Sequence, residues 1–154
     1  MPTFMRKLCK DNIKHKNNIM ITETKNYCVS GLKRLINKYI WRMDVTKPEI
    51  SLTPEALVFL YNSKTEYTTI KWTEIKEIQC IQDDFGAGII PVVEDPQKYI
   101  DACTSKIIRF GMNSSMKNYG SPFTLRVGNL DADPDDIADA MEAYQKENGK
   151  QANS

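Results

Sequence analysis

The sequence is short of the groups that catalysis and metal binding lean on. It holds one histidine, His15, and four cysteines, Cys9, Cys28, Cys80 and Cys103, with no Cys-x-x-Cys pair among them. A zinc site would need at least three of those scattered thiols, so neither a metal nor a cofactor is expected. No apolar run approaches the ~18–20 residues of a membrane span. The opening Met1-Pro-Thr-Phe-Met-Arg-Lys has no apolar stretch and no small-residue cleavage site of the secretory kind. A cytoplasmic protein with reduced thiols follows, Cys80 and Cys103 packing as small hydrophobes.

Other motifs fail on spacing. Asp83, Asp84, Glu94 and Asp101 are not paired for acid–base work. His15 has no visible nucleophile or carboxylate beside it. Gly86-Ala-Gly88 precedes a strand and does not open a helix, which phosphate cradling requires. Asp131-Ala-Asp133-Pro-Asp135-Asp136 with Glu142 copies the ligand spacing of a calcium loop, but Asp136 stands where that loop needs glycine for its turn. Helix capping explains these acids more simply. The expectation is a protein that is not an enzyme and works by binding.

What is present describes one domain with an appendage. The 154 residues are 41% hydrophobic and 27% charged, globular values that allow a core without staples. The net charge of +1 hides a split. Through Pro48 there are 11 Lys+Arg against 3 Asp+Glu, and from Glu49 onward 10 against 17. Such asymmetry suggests a basic arm drawn to anionic partners or folded onto an acidic body. The expected units are residues 1–48 as arm and helix, 49–147 as the folded domain, and 148–154 as a disordered tail.

Residues 6–18 are rich in Lys and Asn and read as a mobile arm, with a short strand or the onset of order at 19–21. From Cys28 to Met43, Val29, Leu32, Leu35, Ile36, Tyr39, Ile40 and Met43 recur at helical spacing, with Lys33, Arg34, Asn37, Lys38 and Arg42 opposite. This is a basic amphipathic helix, and Pro48 stops it. Short strands follow at 50–52, 56–61, 67–72, 75–81 and 89–93, the last carrying a proline that argues for an edge or a bulge. Asp83–Gly88 reads as a loop. Asp95-Pro96 starts a short helix burying Tyr99, Ile100 and Cys103. Lys106–Phe110 fits strand or helix equally, and Asn113–Ser121 is turn-rich. Phe123–Val127 alternates as a strand. Asp133 then caps a final helix with Ile137, Ala140, Met141 and Tyr144 on its inner face and Gly149 at its end.

Lys47-Pro48-Glu49-Ile50 through Glu55-Ala56-Leu57, followed by Ile70-Lys-Trp-Thr-Glu-Ile75-Lys-Glu-Ile78, resembles the opening of bacterial pleckstrin-homology-like domains. Val93-Glu-Asp-Pro96-Gln-Lys-Tyr-Ile100, Met112-Asn113 and Asn118-Tyr-Gly120-Ser-Pro122-Phe-Thr-Leu125 narrow the likeness to uncharacterised bacterial proteins in which two transmembrane helices precede such a domain. The likeness covers residues 42–145. The six or seven short strands closed by a C-terminal helix already suggest an α+β fold, a curved β-sandwich or partly open barrel with an N-terminal amphipathic helix, and the likeness implies a seven-stranded β-sandwich capped by a helix. It implies no activity. Where those relatives have a membrane span, this chain has Gly31-Leu-Lys-Arg-Leu-Ile-Asn-Lys-Tyr-Ile-Trp-Arg-Met43, which is too charged to insert.

The basic helix is therefore the candidate contact surface, through Lys33, Arg34, Lys38 and Arg42 with Tyr39 and Trp41 at the rim. A protein partner is the first expectation, with homo-oligomerisation open. An anionic membrane at its inner face is the second, and nucleic acid the third. The competing reading is that the apolar stripe packs on the sandwich and the basic face is only solvated. That core-packed arrangement is the expected one.

Overall fold

The computed structural model describes residues 4–5, 21–40, 46–61 and 66–149. The expected arm at 6–18 lies outside them, as do Trp41, Arg42 and the residues beyond 149. The fold is α+β, built from two antiparallel sheets and four α-helices, the last of them C-terminal. One sheet has the order β1-β6-β7-β8: β1 Phe4–Met5, β6 Ile75–Asp83, β7 Gly86–Val93 and β8 Leu125–Arg126. The other runs β2-β3-β4-β5: β2 Lys25–Tyr27, β3 Ile50–Leu52, β4 Ala56–Leu60 and β5 Tyr67–Lys71. The described residues close no barrel. Strand β2 lies before Pro48 and pairs along its length with β3 beyond it, Tyr27 opposite Ile50.

The core forms between the sheets. Ile50, Leu52, Leu57, Phe59 and Ile70 come from one, Ile75, Ile78, Ile89, Val93 and Leu125 from the other. In β6 the buried residues Ile75 and Ile78 are three apart, a spacing that strict alternation forbids. A register shift between Ile75 and Glu77 against β7 supplies the extra residue and turns both inward. Pro91 sits in β7, opposite Ile78. Its carbonyl accepts from Ser121 Oγ at 2.6 Å, so the side of β7 lacking an N–H faces Ser121, beyond the two residues that pair with β8. The proline thus occupies a local edge, as its chemistry requires.

Two expectations are corrected. The loop at Asp83–Gly88 is a tight hairpin: β6 runs to Asp83, β7 begins at Gly86, and only Asp84 and Phe85 turn between them. Gly86 takes φ +99°, open to glycine alone at little cost. Gly88 lies within the strand opposite Ile81, where a Cβ would come within 2.9 Å of the Ile81 side chain. The turn-rich stretch Asn113–Ser121 is instead mostly helix. Helix α2, Pro96–Ala102, is capped by Asp95 as expected. Helix α3 then runs Lys106–Tyr119 and stops at Gly120 with φ +76°. Weak helix formers persist there because Met112 and Ser115 are buried, and Ser115 Oγ lies 2.8 Å from Thr124 Oγ1.

Helix α4, Pro134–Asn148, is capped by Asp133, whose carboxylate accepts from Asp135 N at 2.8 Å. Ile137, Ala140, Met141 and Tyr144 are buried against β6 and the 3-10 turn Trp72–Glu74. The helix extends one residue past 147 and buries Asn148.

Candidate functional site

Helix α1 spans Gly31–Tyr39, shorter at its start than the apolar periodicity suggests. Residues 28–30 are claimed by tertiary pairing. Val29 bridges Leu130, Cys28 N donates to Asp131 Oδ1 at 2.9 Å, and Ser30 N donates to Asn129 O at 2.8 Å. Ser30 Oγ also turns to the Asn129 and Leu130 carbonyls and caps no helix N–H. The helix is thereby anchored at its N-terminal end to the segment between β8 and α4.

The orientation of α1 overturns the expected core packing. Leu32 is 72% exposed, Leu35 53%, Tyr39 68% and Ile40 68%. Asn37 is the buried residue of the helix, and Lys33 on the same polar side reaches Glu49 at 3.4 Å. The helix turns Lys33, Ile36 and Asn37 toward the domain and leaves Leu32, Leu35, Tyr39 and Ile40 outward, beside exposed Arg34 and Lys38. The physical reason lies at its start: the pairing of residues 28–30 with residues 129–131 fixes the helix direction, and Glu49 meets Lys33 on the inner side.

Among the sequence-predicted contact residues, Lys33 is partly engaged by Glu49, at a surface site where an ion pair is worth little. Arg34 and Lys38 are exposed. Lys38 Nζ lies 5.3 Å above the Tyr39 ring. Trp41 and Arg42 lie outside the described residues. Leu32, Leu35 and Ile40, read from the sequence as core, are surface residues of this patch. Periodicity reveals a stripe but not the direction it faces.

Asp83, one of the acidic candidates, and Glu74, which the sequence did not single out, hold structural contacts. Asp83 accepts from Arg126 Nη1 at 2.7 Å and Nη2 at 2.9 Å, and from Tyr119 OH at 3.1 Å. The Arg126 guanidinium holds the Asp83 carboxyl below its ordinary range. Glu74 accepts from Lys98 and, at 2.9 Å, from Tyr99 OH, and the Lys98 hydrogen bond lowers its pKa likewise. Among the described residues no group of three His, Cys, Asp or Glu side chains gathers to hold a metal. No described helix is long and apolar enough to cross a membrane. Cys28, Cys80 and Cys103 are free and partly exposed, and Cys80 and Cys103 pack against the core. No family model, curated protein or solved structure matches the chain.

Proposed function

We propose that the chain is a non-enzymatic binding module of pleckstrin-homology-like fold that docks on anionic membrane surfaces at the cytoplasmic face through α1. The observation that carries this reading is the outward stripe of Leu32, Leu35, Tyr39 and Ile40 beside exposed Arg34 and Lys38. Residues 28–43 contain four basic and no acidic side chains. A helix lying in a bilayer interface needs this combination: an apolar face to sink among acyl chains and cations at headgroup level. Each Lys or Arg near such a surface adds about 1 kcal/mol, so association is reversible and salt-sensitive.

Charge favours lipid over a second copy of the chain, because two α1 faces brought together would oppose Arg34 and Lys38 with their own kind. A protein partner, the first expectation from the sequence, would have to supply an acidic rim around an apolar groove. Two antiparallel sheets with a C-terminal helix support the fold reading. The shifted carboxylates Asp83 and Glu74 are pushed away from neutrality, the wrong direction for a general acid or base.

The test is cosedimentation with phosphatidylcholine vesicles with and without phosphatidylserine, at low and high salt. Binding should require phosphatidylserine and fall as salt rises. Arg34→Glu with Lys38→Glu, and separately Leu35→Asp, should abolish binding while leaving the thermal transition in place, since all three side chains are exposed. No binding at low salt, or unfolding by Leu35→Asp, would overturn the proposal. Capture of an acidic protein without lipid affinity would transfer the surface to a protein partner.

A further inference from the structure

Helix α3 has an outward face of its own. Ile107 is 85% exposed and Phe110 77%, one turn apart on the side away from the buried Met112 and Ser115. Lys106 and Lys117, one and two turns from Phe110, are exposed on the same face. Arg109 is exposed beside them; it donates to the Cys103 carbonyl and keeps its charge.

Charge marks this face as much as exposure does. From Glu49 onward acids outnumber bases 17 to 10, yet between Asp101 and Asp131 there are four bases and no acid. Three of the four, Lys106, Arg109 and Lys117, lie on α3. Such a face attracts an anionic partner despite the acidity of the domain around it. A second copy would set Lys106 and Lys117 against their own kind. The chain's first 20 residues carry five bases and one acid, so charge does not draw them here either.

Helix α3 also stands at the same end of the β2–β5 sheet as α1. Glu49, which meets Lys33 of α1, is hydrogen-bonded through its backbone to Tyr27 on one side and Leu60 on the other. Leu60 pairs with Tyr67, and Ile108 and Met112 of α3 line an open cavity with Tyr61 and Tyr67. Helix α4 reaches the opposite end of these strands, where Asn148 donates to Pro54 O in the β3–β4 turn.

We infer that α3 is a second contact for anionic lipid, and that the domain lands on a bilayer by the sheet end that carries both helices. The inference rests on the lipid reading of α1 and adds where the domain meets the surface. Ile107 and Phe110 enter the acyl boundary while Lys106, Arg109 and Lys117 stay at headgroup level. Two weak contacts on one domain reinforce each other, because the first holds the second close to the same surface.

The experiment is cosedimentation of the full chain with phosphatidylcholine vesicles that contain phosphatidylserine. Lys106→Gln with Lys117→Gln should weaken binding about thirtyfold, since each cation near such a surface contributes about fivefold. Ile107→Ala with Phe110→Ala should weaken it by about tenfold or more. The thermal transition should stay in place in both variants, because all four side chains are exposed. Phe110→Trp should keep binding, and its added emission should shift to the blue on vesicles and be quenched by brominated acyl chains. Vesicles should not cluster, since one bilayer takes both helices. Wild-type binding that is lost with Arg34→Glu and Lys38→Glu but untouched by the α3 variants would overturn this inference and leave the α1 reading standing. Bound Phe110→Trp protein without a blue shift would do the same. Loss with the α3 variants alone would keep the α3 contact and overturn the α1 reading. No wild-type binding at low salt would overturn both, and vesicle clustering would overturn the shared landing.

Discussion

The rings of Trp72 and Tyr144 lie 5.6 Å apart at 45°, and the polar atom of each reaches past the other element to a backbone carbonyl. Trp72 Nε1 donates to Thr53 O at 2.8 Å, and Tyr144 OH donates to Glu23 O at 2.7 Å. One pair of side chains therefore joins the 3-10 turn, the β3–β4 turn, the segment before β2 and helix α4. Trp72 is 1% exposed. Trp72→Ala should destabilise the fold by about 3–5 kcal/mol, as large aromatic truncations in cores do. Tyr144→Phe, which removes only the hydroxyl, should cost about 1 kcal/mol. Denaturant unfolding measures both.

Asn148 acts as a clasp at the end of α4. Its Oδ1 accepts from Ile21 N at 3.2 Å, and its Nδ2 donates to Ile21 O at 3.1 Å and Pro54 O at 2.8 Å. A side-chain amide here takes the place of a strand partner for Ile21. Asn148→Ala should cost about 1–3 kcal/mol, because it strands part-buried backbone groups. Amide exchange at Ile21 should speed up more than exchange in β4. A chain truncated after residue 147 should show the same loss.

The Asp83–Arg126 pair predicts an acid limb of stability. Asp83 has a folded pKa below its ordinary value of 3.8, chiefly through the Arg126 hydrogen bond. The unfolded chain therefore takes up the proton first. The stabilisation is present above the unfolded pKa and is lost as pH falls through the folded one. Asp83→Asn should cost about 1–2 kcal/mol at neutral pH, the scale of a partly exposed bidentate pair. The difference from wild type should shrink below about pH 4, measured by urea unfolding across pH.

Cys80 should be the least reactive of the described thiols. Burial, followed by the charges of Glu142, Asp135 and Asp139, pushes it up to about 11 from an ordinary 9.0. Its thiolate fraction at pH 8 is then about a hundredfold below that of an ordinary cysteine. Iodoacetamide labelling followed by peptide mapping should show Cys103 modified well before Cys80 in native protein. The difference should vanish in urea.

Helices α2 and α4 were legible because their signals are local. Asp95-Pro96 and Asp133-Pro134 place a capping carboxylate and a proline where a helix start uses both, and the Ile137, Ala140, Met141, Tyr144 spacing marks its own inner face. Strands β3 to β5 were legible from β-branched and aromatic runs. Strand β2, by contrast, is Lys25-Asn-Tyr27, a polar segment that is a strand only because β3 pairs with it. Helix α3 crosses Asn113-Ser-Ser115, which local propensity would break, because Met112 and Ser115 pack inward.

The candidate surface divides the same way. By itself the sequence determined that an amphipathic helix carrying Lys33, Arg34, Lys38 and Tyr39 lies within residues 28–43, because a helical period needs nothing beyond the helix; its start at Gly31 was set by tertiary pairing. Only the tertiary structure decided that the apolar stripe faces out. That choice rests on the pairing of Val29 with Leu130 and of Cys28 and Ser30 with Asp131 and Asn129, contacts between residues distant in the chain. A period along one element records which residues share a face; the partners that face meets are set by packing alone.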